Sequence, residues 1–239
     1  VKLALADHRS SNVTLDELIR LASDARVAGM LSGKAGIVTL HMGDDPQGLN
    51  KVFDAIKQTA IPAKVFHPTH VTRNPVLFEQ ALDFLELGGW IDLTAGSRKE
   101  KSCGDYIETA KQRGLDTCRI TVSSDGQGSW STYDARGNLT QIGVSSVKAL
   151  HEQLVRMVKE NEFDLAEALS YVTSNPADAL QLSRKGRLQE GMDADIVLLD
   201  KDCLLYPSDA ADDLTIDTVI ARGQLMMKDK QLRVRGTYE

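Results

Sequence analysis

Four side chains able to bind metal ions or transfer protons lie on, or directly after, short apolar runs of the sequence. They are Lys2 in the first run, His41 at the end of the second, His70 after the third and Asp125 at the end of the fifth. If these runs are parallel strands, their carboxyl ends open onto one face, and the side chains meet there. Two imidazoles and a carboxylate are ligands that cations such as Zn²⁺ prefer. The spacing therefore predicts a metal site.

Lys2 is an unusual residue for an apolar strand, because burial of its ammonium group costs free energy. Reaction of the amine with CO₂ would form a carbamate, an anion able to bridge two metal ions. A single histidine at a strand end is about as often a hydrogen-bonded structural residue as a ligand. The hypothesis of a metal site therefore depends on the combination of the four side chains.

Strands and helices that alternate along the first half of the chain must position these groups. The pattern predicts strands over residues 1–6, 36–41, 63–67, 90–94 and 119–123, and helices over 14–33, 49–59, 75–87 and 106–113. Thr14-Leu-Asp-Glu17 has the pattern of a capping box at the start of the first helix. Short apolar strands that alternate with amphipathic helices are typical of a parallel sheet covered by helices. Periodicity alone leaves both a barrel and a doubly wound sheet open.

The pattern changes beyond Asp125. We predict helices over 144–160, 165–172 and 175–180, strands over 196–199, 218–222, 225–228 and 232–235, and a hairpin turn at Asp229-Lys230. The segment from Cys203 to Leu214 fits neither neighbouring strand and is similar to a translated sequencing-library adapter. We interpret these residues, 203–214, as an artefactual insert, and the alternative is an ordinary acidic surface loop.

The composition argues against several classes of protein. With 42% hydrophobic residues among 239, the chain can bury a substantial core. A net charge of −6 gives no basic surface for nucleic acid, and no apolar run reaches the roughly 20 residues of a membrane span. The three cysteines form no CxxC pair, so neither a disulfide framework nor a thiolate zinc site is indicated. We therefore expect a cytoplasmic protein without a nucleic-acid or membrane partner.

The chain carries motifs of a known family. Thr173-Ser-Asn-Pro-Ala-Asp-Ala-Leu180 and the segment from Lys185 to Asp200 together resemble the C-terminal signature of the amidohydrolase superfamily. Within that superfamily, five further motifs resemble the isoaspartyl (β-aspartyl) dipeptidase family: Val1-Lys2, Asp7-His-Arg-Ser10, His41-Met-Gly-Asp44, Pro68-Thr-His-Val71 and Ser123-Ser-Asp-Gly126. The resemblance runs along nearly the whole chain, apart from the suspected insert.

The resemblance implies a fold and a ligand set. The five strands would be strands four to eight of a (β/α)8 TIM-like barrel, a partial metal-dependent hydrolase barrel over residues 1–185, followed by the C-terminal part of a small β-domain over 186–239. Two divalent metal ions, with zinc expected, would be bridged by a carbamate on Lys2. His41 and His70 would bind one metal and Asp125 the other. A metal-bridging hydroxide would attack the substrate, and Asp125 would pass its proton to the leaving amine.

The substrate implied by the resemblance is a small β-aspartyl dipeptide, which carries two carboxylates. Arg9 and Arg73 follow strand ends and have the forked donors that bind carboxylates, and Ser129 could add a hydrogen bond. For each arginine, a solvated or structural ion pair is the alternative. The family also implies a homo-oligomer.

One element of the family pattern is absent from these 239 residues. No HxH pair, which the family places on strand one, occurs among the five histidines. We therefore expect the intact parent to be an enzyme and this chain alone to be inactive. Related amidohydrolases remain alternatives for the substrate, namely dihydroorotase, hydantoinase and N-acyl-D-amino-acid deacylase. A non-catalytic barrel scaffold is the alternative from a different class.

Overall fold

Five parallel strands carry the predicted site residues. The computed structural model describes residues 1–8, 10, 12–96, 101–199 and 216–234. The strands are β1 (Lys2–Leu5), β2 (Val38–Met42), β3 (Phe66–Thr69), β4 (Ile91–Thr94) and β5 (Ile120–Ser123). β1, β2 and β3 pair in that order and β4 pairs with β5, every pair being parallel. The α/β architecture and the five predicted strands are therefore confirmed, with bounds shifted by a few residues.

β2, β4 and β5 alternate between polar and apolar residues, β3 carries His67 and Thr69 at every second position, and β1 begins with the polar Lys2. The two sets point to opposite faces. The polar face consists of Lys2, Thr39, His41, His67, Thr69, Asp92, Thr94, Thr121 and Ser123. The apolar face consists of Leu3, Leu5, Val38, Leu40, Met42, Phe66, Ile91, Leu93, Ile120 and Val122, and it belongs to or packs against the buried core. His67 on β3 reaches Thr121 on β5 at 3.2 Å, across the intervening β4. Since strands two apart lie about 9.6 Å from each other in a flat sheet, the polar face is concave.

Four helices connect these strands in sequence and cover the apolar face. They are α1 (Leu15–Ser32), α2 (Asn50–Gln58), α3 (Pro75–Glu86) and α4 (Cys103–Gln112). The predicted capping box at Thr14 and Glu17 is present, and α1 ends at Gly33 with a φ of 65°, a left-handed conformation that glycine adopts easily. Helix α3 begins with the Asn74 side chain as its cap and with Pro75 in its first turn.

β3 and β4 lie side by side, but the described backbone does not pair them. Side chains connect the two strands instead. The Thr69 hydroxyl donates to Asp92 Oδ2 at 2.6 Å, and His70 Nδ1 lies 2.7 Å from Thr94 Oγ1. Side-chain hydrogen bonds on the polar face thus connect the two parallel sheets between β3 and β4, where the described backbone forms no ladder.

Three later helices follow: α5 (Ala149–Lys159), α6 (Leu165–Ser170) and α7 (Ser174–Ala179). The free edge of β5 is partly covered by α7 and by Tyr171 at the end of α6. The Val122 amide donates to the Tyr171 carbonyl, and the Asn175 side-chain amide donates to the Ile120 carbonyl, both at 2.9 Å. Asn175 belongs to the Thr173–Leu180 motif. Part of that signature therefore anchors α7 to the strand that leads to Asp125.

The helix predicted over residues 144–160 is wrong at its beginning. The chain forms a hairpin of β6 (Ser129–Tyr133) and β7 (Leu139–Val144), and α5 begins only at Ala149. Asp134 Oδ1 accepts hydrogen bonds from the amides of Arg136 and Asn138, both at 2.8 Å, which closes the turn of the hairpin. The hairpin follows Asp125 closely and adds an element beside the predicted site.

Residues 196–234 contain an antiparallel sheet of β8 (Ile196–Leu199), β9 (Ile216–Ala221), β10 (Gln224–Lys228) and β11 (Gln231–Leu232), in sequential order. The predicted turn at Asp229-Lys230 is confirmed, since φ is 51° and 61° at these residues and Lys228 pairs with Gln231. The segment 203–214 lies outside the described residues. The domain boundary between 185 and 186 stays a prediction.

No helix in the described part of the chain is long and apolar enough to cross a membrane.

Candidate functional site

The imidazoles of two predicted ligands meet at the ends of β2 and β3. His41 Nδ1 lies 3.1 Å from His70 Nε2, and the ring centroids are 4.9 Å apart. Two nitrogen ligands about 2.0–2.1 Å from one zinc ion, at that mutual distance, would subtend about 100° at the metal. This is close to the tetrahedral angle. The two facing nitrogens therefore fit as two ligands of one cation.

The local backbone and one hydroxyl hold His70 in place. His70 follows β3 with a φ of 61° and is 6% exposed, and its Nδ1 contacts Thr94 Oγ1 at 2.7 Å. Asp125, which follows Ser123 at the end of β5, also has a positive φ, of 48°. A left-handed backbone at a non-glycine residue costs about 1–3 kcal/mol and concentrates at functional sites. Both residues are among those predicted from the sequence, and eight other described non-glycine residues also have a positive φ.

Charged side chains near the histidine pair change the pKa of His41. Burial lowers the pKa of His41, and the positive charges of Lys2 and Arg73 lower this pKa further. Asp125 and Asp92 oppose the shift through their negative charges. The balance keeps His41 neutral at neutral pH, and the neutral imidazole is the form that binds cations. Lys2 and Asp125 thus lie within electrostatic reach of the pair.

The described residues do not assemble the complete ligand set. Within them, no three His, Cys, Asp or Glu side chains are grouped so that they could hold a metal ion. Asp125 is half-buried and Lys2 is exposed. Among the four predicted ligands, the structure brings His41 and His70 into contact, whereas Lys2 and Asp125 are connected to the pair only by the effect of their charges on the pKa of His41.

The structure describes two of the three residues that we predicted to bind substrate. Arg73 is exposed in the turn after β3, where its amide donates to the His70 carbonyl at 3.1 Å. Ser129 is exposed at the first position of β6, in register with Val144. Arg9 lies outside the described residues. The role of all three in substrate binding stays a prediction.

A buried network on the polar face was not foreseen from the sequence. The Asp92 carboxylate is 6% exposed and accepts hydrogen bonds from the hydroxyls of Thr69, Thr121 and Ser123, each at 2.6 Å. His67, which we did not predict to be a ligand, bonds to Thr121 in the same network. Polar residues at every second position of the strands are the signal that could have revealed it.

The buried cysteine nearby is not a candidate nucleophile. Burial raises the pKa of the Cys103 thiol to about 12, and the negative charge of Asp92 adds to this effect. Because the thiolate is the reactive form, a thiol with this pKa is inert at neutral pH.

Comparison with known proteins gives a match over almost the whole chain. The sequence model of the Amidohydrolase family matches residues 1–226. The β-aspartyl dipeptidase of the thermophilic keratin-degrading Fervidobacterium islandicum AW-1, solved in complex with β-Asp-Leu dipeptide, has 41% identity and a TM-score of 0.86. The match covers 98% of this chain and 58% of that dipeptidase. The chain thus spans less than two thirds of the length of that relative.

Two more distant structures share the fold alone. N-acetylglucosamine-6-phosphate deacetylase of Pasteurella multocida has 15% identity and a TM-score of 0.60, with 95% of this chain and 56% of that chain covered. An adenosine deaminase of Xanthomonas campestris, solved with bound zinc, has 15% identity and a TM-score of 0.54, with 99% and 53% covered. The same fold therefore occurs in hydrolases of different substrates.

Proposed function

We propose that the whole protein hydrolyses the isopeptide bond of β-aspartyl dipeptides, and that divalent cations bound to the protein take part in the reaction. The chain belongs to the amidohydrolase family. The observation that carries the proposal is the His41–His70 pair, with nitrogens 3.1 Å apart at the ends of adjacent strands. It occurs in a chain similar over 98% of its length to a dipeptidase solved with β-Asp-Leu. Membership of the family supports hydrolase activity.

Four residues of this chain would hold the cations. His41 and His70 would bind one, Asp125 would bind the other, and a carbamate on Lys2 would lie between them. We propose zinc as the metal, because neutral imidazole and carboxylate are ligands that zinc prefers. The adenosine deaminase of similar fold was also solved with bound zinc. When bound, the cations polarise the scissile carbonyl and lower the pKa of water, which supplies hydroxide near neutral pH. These 239 residues contain no HxH pair, so this pair would have to come from another part of the whole protein.

Asp125 would move the proton. Its carboxylate is placed after β5, within electrostatic reach of His41. A carboxylate there can accept a proton from the attacking water and deliver it to the departing amine, so that one group serves as base and then as acid. The Gly128 amide donates to the Asp125 carbonyl at 2.9 Å, which fixes the turn that presents the side chain.

The arginines would select the substrate. A β-aspartyl dipeptide has an α-carboxylate on each residue, and a guanidinium binds a carboxylate through two parallel hydrogen bonds. Arg73 is exposed beside His70, and Arg9 follows β1 in sequence. Ser129 could add a hydroxyl contact at the base of the β6–β7 hairpin. Assembly into a homo-oligomer and a cytoplasmic location belong to the same proposal.

The proposal is tested by the hydrolysis of two isomeric dipeptides. The whole protein is assayed with β-Asp-Leu and with α-Asp-Leu, before and after removal of cations by a chelator and after addition of Zn²⁺. We expect release of leucine from the β-isomer alone, lost on chelation and restored by zinc. A zinc-loaded protein that leaves β-Asp-Leu intact would contradict the proposed substrate. This chain by itself, without the HxH pair, is expected to release none.

A further inference from the structure

Asp92 is a buried carboxylate to which the proposed mechanism assigns no role. It lies on the polar face of β4, in register with Thr121 of β5. Three hydroxyls from the strands on either side surround it, each at 2.6 Å: Thr69 and Ser123 at Oδ2, and Thr121 at Oδ1. Three donors fit an ionised carboxylate, which accepts hydrogen bonds and donates none. A buried charge of this kind is stable only when it is fully hydrogen-bonded.

The carboxylate orders the protons around it. The Thr121 hydroxyl has Asp92 Oδ1 at 2.6 Å and the Ile91 carbonyl oxygen at 3.5 Å, so its proton goes to the carboxylate. The Thr121 oxygen can then accept the hydrogen of His67 Nε2, at 3.2 Å. Burial lowers the pKa of His67, which keeps this imidazole neutral. The network therefore has a single direction, from His67 through Thr121 to Asp92.

The same carboxylate connects two of the proposed metal ligands. Thr69 directly precedes His70, and Ser123 lies two residues before Asp125. Since the described backbone does not pair β3 with β4, the hydrogen bond from Thr69 to Asp92 is part of what holds His70 against the second sheet. The negative charge of Asp92 also acts on His41.

We propose that Asp92 is a positioning residue of the site: it fixes the strand ends that carry His70 and Asp125, and its buried negative charge favours cation binding by the histidine pair. The inference depends on the proposed metal-dependent function. Asp92 does not contact the candidate ligands themselves and acts through Thr69, Thr121 and Ser123. Partners that orient metal ligands contribute about 10- to 100-fold to metal affinity or activity.

The first test replaces the charge and keeps the shape. Asp92→Asn is made in the whole protein, and Zn²⁺ affinity is measured by competition with a chromogenic chelator, alongside kcat and KM for β-Asp-Leu. We expect zinc affinity about 10- to 100-fold weaker, with kcat lowered and KM nearly unchanged. Tyr171→Phe is the matched control, because it removes a buried hydroxyl that bonds Glu167 at 2.9 Å, away from the candidate site. The control is expected to keep its zinc affinity and kcat.

A second pair of variants covers the case in which Asp92→Asn does not fold. Thr69→Val removes one donor to Asp92 at nearly constant volume, whereas Thr69→Ser keeps the hydroxyl. We expect weaker zinc binding in the valine variant and recovery in the serine variant. Equal zinc affinities in these two variants, or an Asp92→Asn protein within about twofold of the unmodified protein, would overturn the role of Asp92, since orienting partners contribute far more than that.

The zinc measurement separates this inference from the proposed substrate. A protein that binds zinc less tightly as Asp92→Asn but does not cleave β-Asp-Leu would support the positioning role and contradict the dipeptide. If the Asp92→Asn protein cleaves β-Asp-Leu as well as the unmodified protein does, the dipeptide substrate is supported and the positioning role of Asp92 is contradicted. An unmodified protein that binds no zinc would contradict both.

Discussion

The two faces of the same five strands differ in what they contribute. On the apolar face, residues such as Leu40, Phe66 and Ile91 are fully buried against the helices. On the polar face, histidine, threonine and aspartate side chains bond to one another and lead to the His41–His70 pair.

This difference shows that one alternating pattern can encode two properties. The apolar residues supply the free energy of folding, and the polar residues, spaced between them, include the residues proposed to bind the cations. Substitutions on the polar face should therefore lower activity more than stability, and substitutions on the apolar face should do the opposite. Variants at Asp125 and Leu40 test that distinction in the whole protein.

The largest effect is expected at the end of β5. Asp125→Asn removes the proposed proton acceptor and should lower kcat for β-Asp-Leu about 100- to 10,000-fold. The midpoint of urea unfolding should change little, because Asp125 is only half-buried and belongs to a turn. Steady-state kinetics and urea titration measure the two quantities. A variant with normal kcat would remove Asp125 from the mechanism.

On the apolar face, Leu40→Ala should show the opposite behaviour. Leu40 is fully buried at the centre of β2, one residue before His41. Its truncation leaves a cavity, and we expect the free energy of unfolding to fall by about 2–5 kcal/mol. The folded fraction should keep a normal KM. If the KM rose strongly without a loss of stability, the two faces would not be separable in the way described.

A smaller effect is expected beyond the strand ends. Arg73→Met removes a guanidinium proposed to bind a substrate carboxylate, a hydrogen bond to a charged group worth about 1.5–3 kcal/mol. The KM for β-Asp-Leu should therefore rise about 10- to 100-fold, with zinc affinity retained. Arg113→Met is the control, since Arg113 forms its ion pairs with Glu79 and Asp83, away from the proposed site. An unchanged KM in the Arg73 variant would remove this residue from substrate binding.

The smallest effect concerns the pH dependence of stability. Because burial lowers the pKa of His67 below its usual 6.5, the unfolded chain takes up a proton below about pH 6.5 that the folded protein does not. The free energy of unfolding should therefore decrease as the pH is lowered through that range, by at most about 1.4 kcal/mol per pH unit for this residue.

His67→Gln keeps a donor for Thr121 and cannot titrate, so its stability should vary less between about pH 6.5 and pH 5. His41 and His151 also have lowered pKa values and act equally in both proteins. The difference between the two urea-derived stability curves isolates His67. Parallel curves would show that His67 is not kept neutral by burial.

The sequence predicted the elements whose signals are local. The capping box at Thr14 and the turn at Asp229-Lys230 depend on neighbouring residues, and the structure shows both. The beginning of the 144–160 helix was wrong because Leu139–Val144 pairs with Ser129–Tyr133, and this contact between residues 6 to 15 positions apart outweighs local helix propensity.

The candidate site was predicted in part. Strand ends indicated His41 and His70, because their position depends only on the order of strands in a parallel sheet. Asp92 was missed because its importance comes from three hydroxyls on β3 and β5, and such contacts follow from the curvature of the sheet. The complete ligand set could not be derived, since these residues contain no HxH pair.

The central claim is that the polar face ends in a cation site built on His41 and His70. The most direct test is the zinc content of the purified whole protein, compared among the unmodified protein, His70→Ala and His151→Ala, with His151 on α5 as the control. We predict that His70→Ala loses zinc and that His151→Ala keeps the full amount. Equal zinc contents in all three proteins would contradict the account.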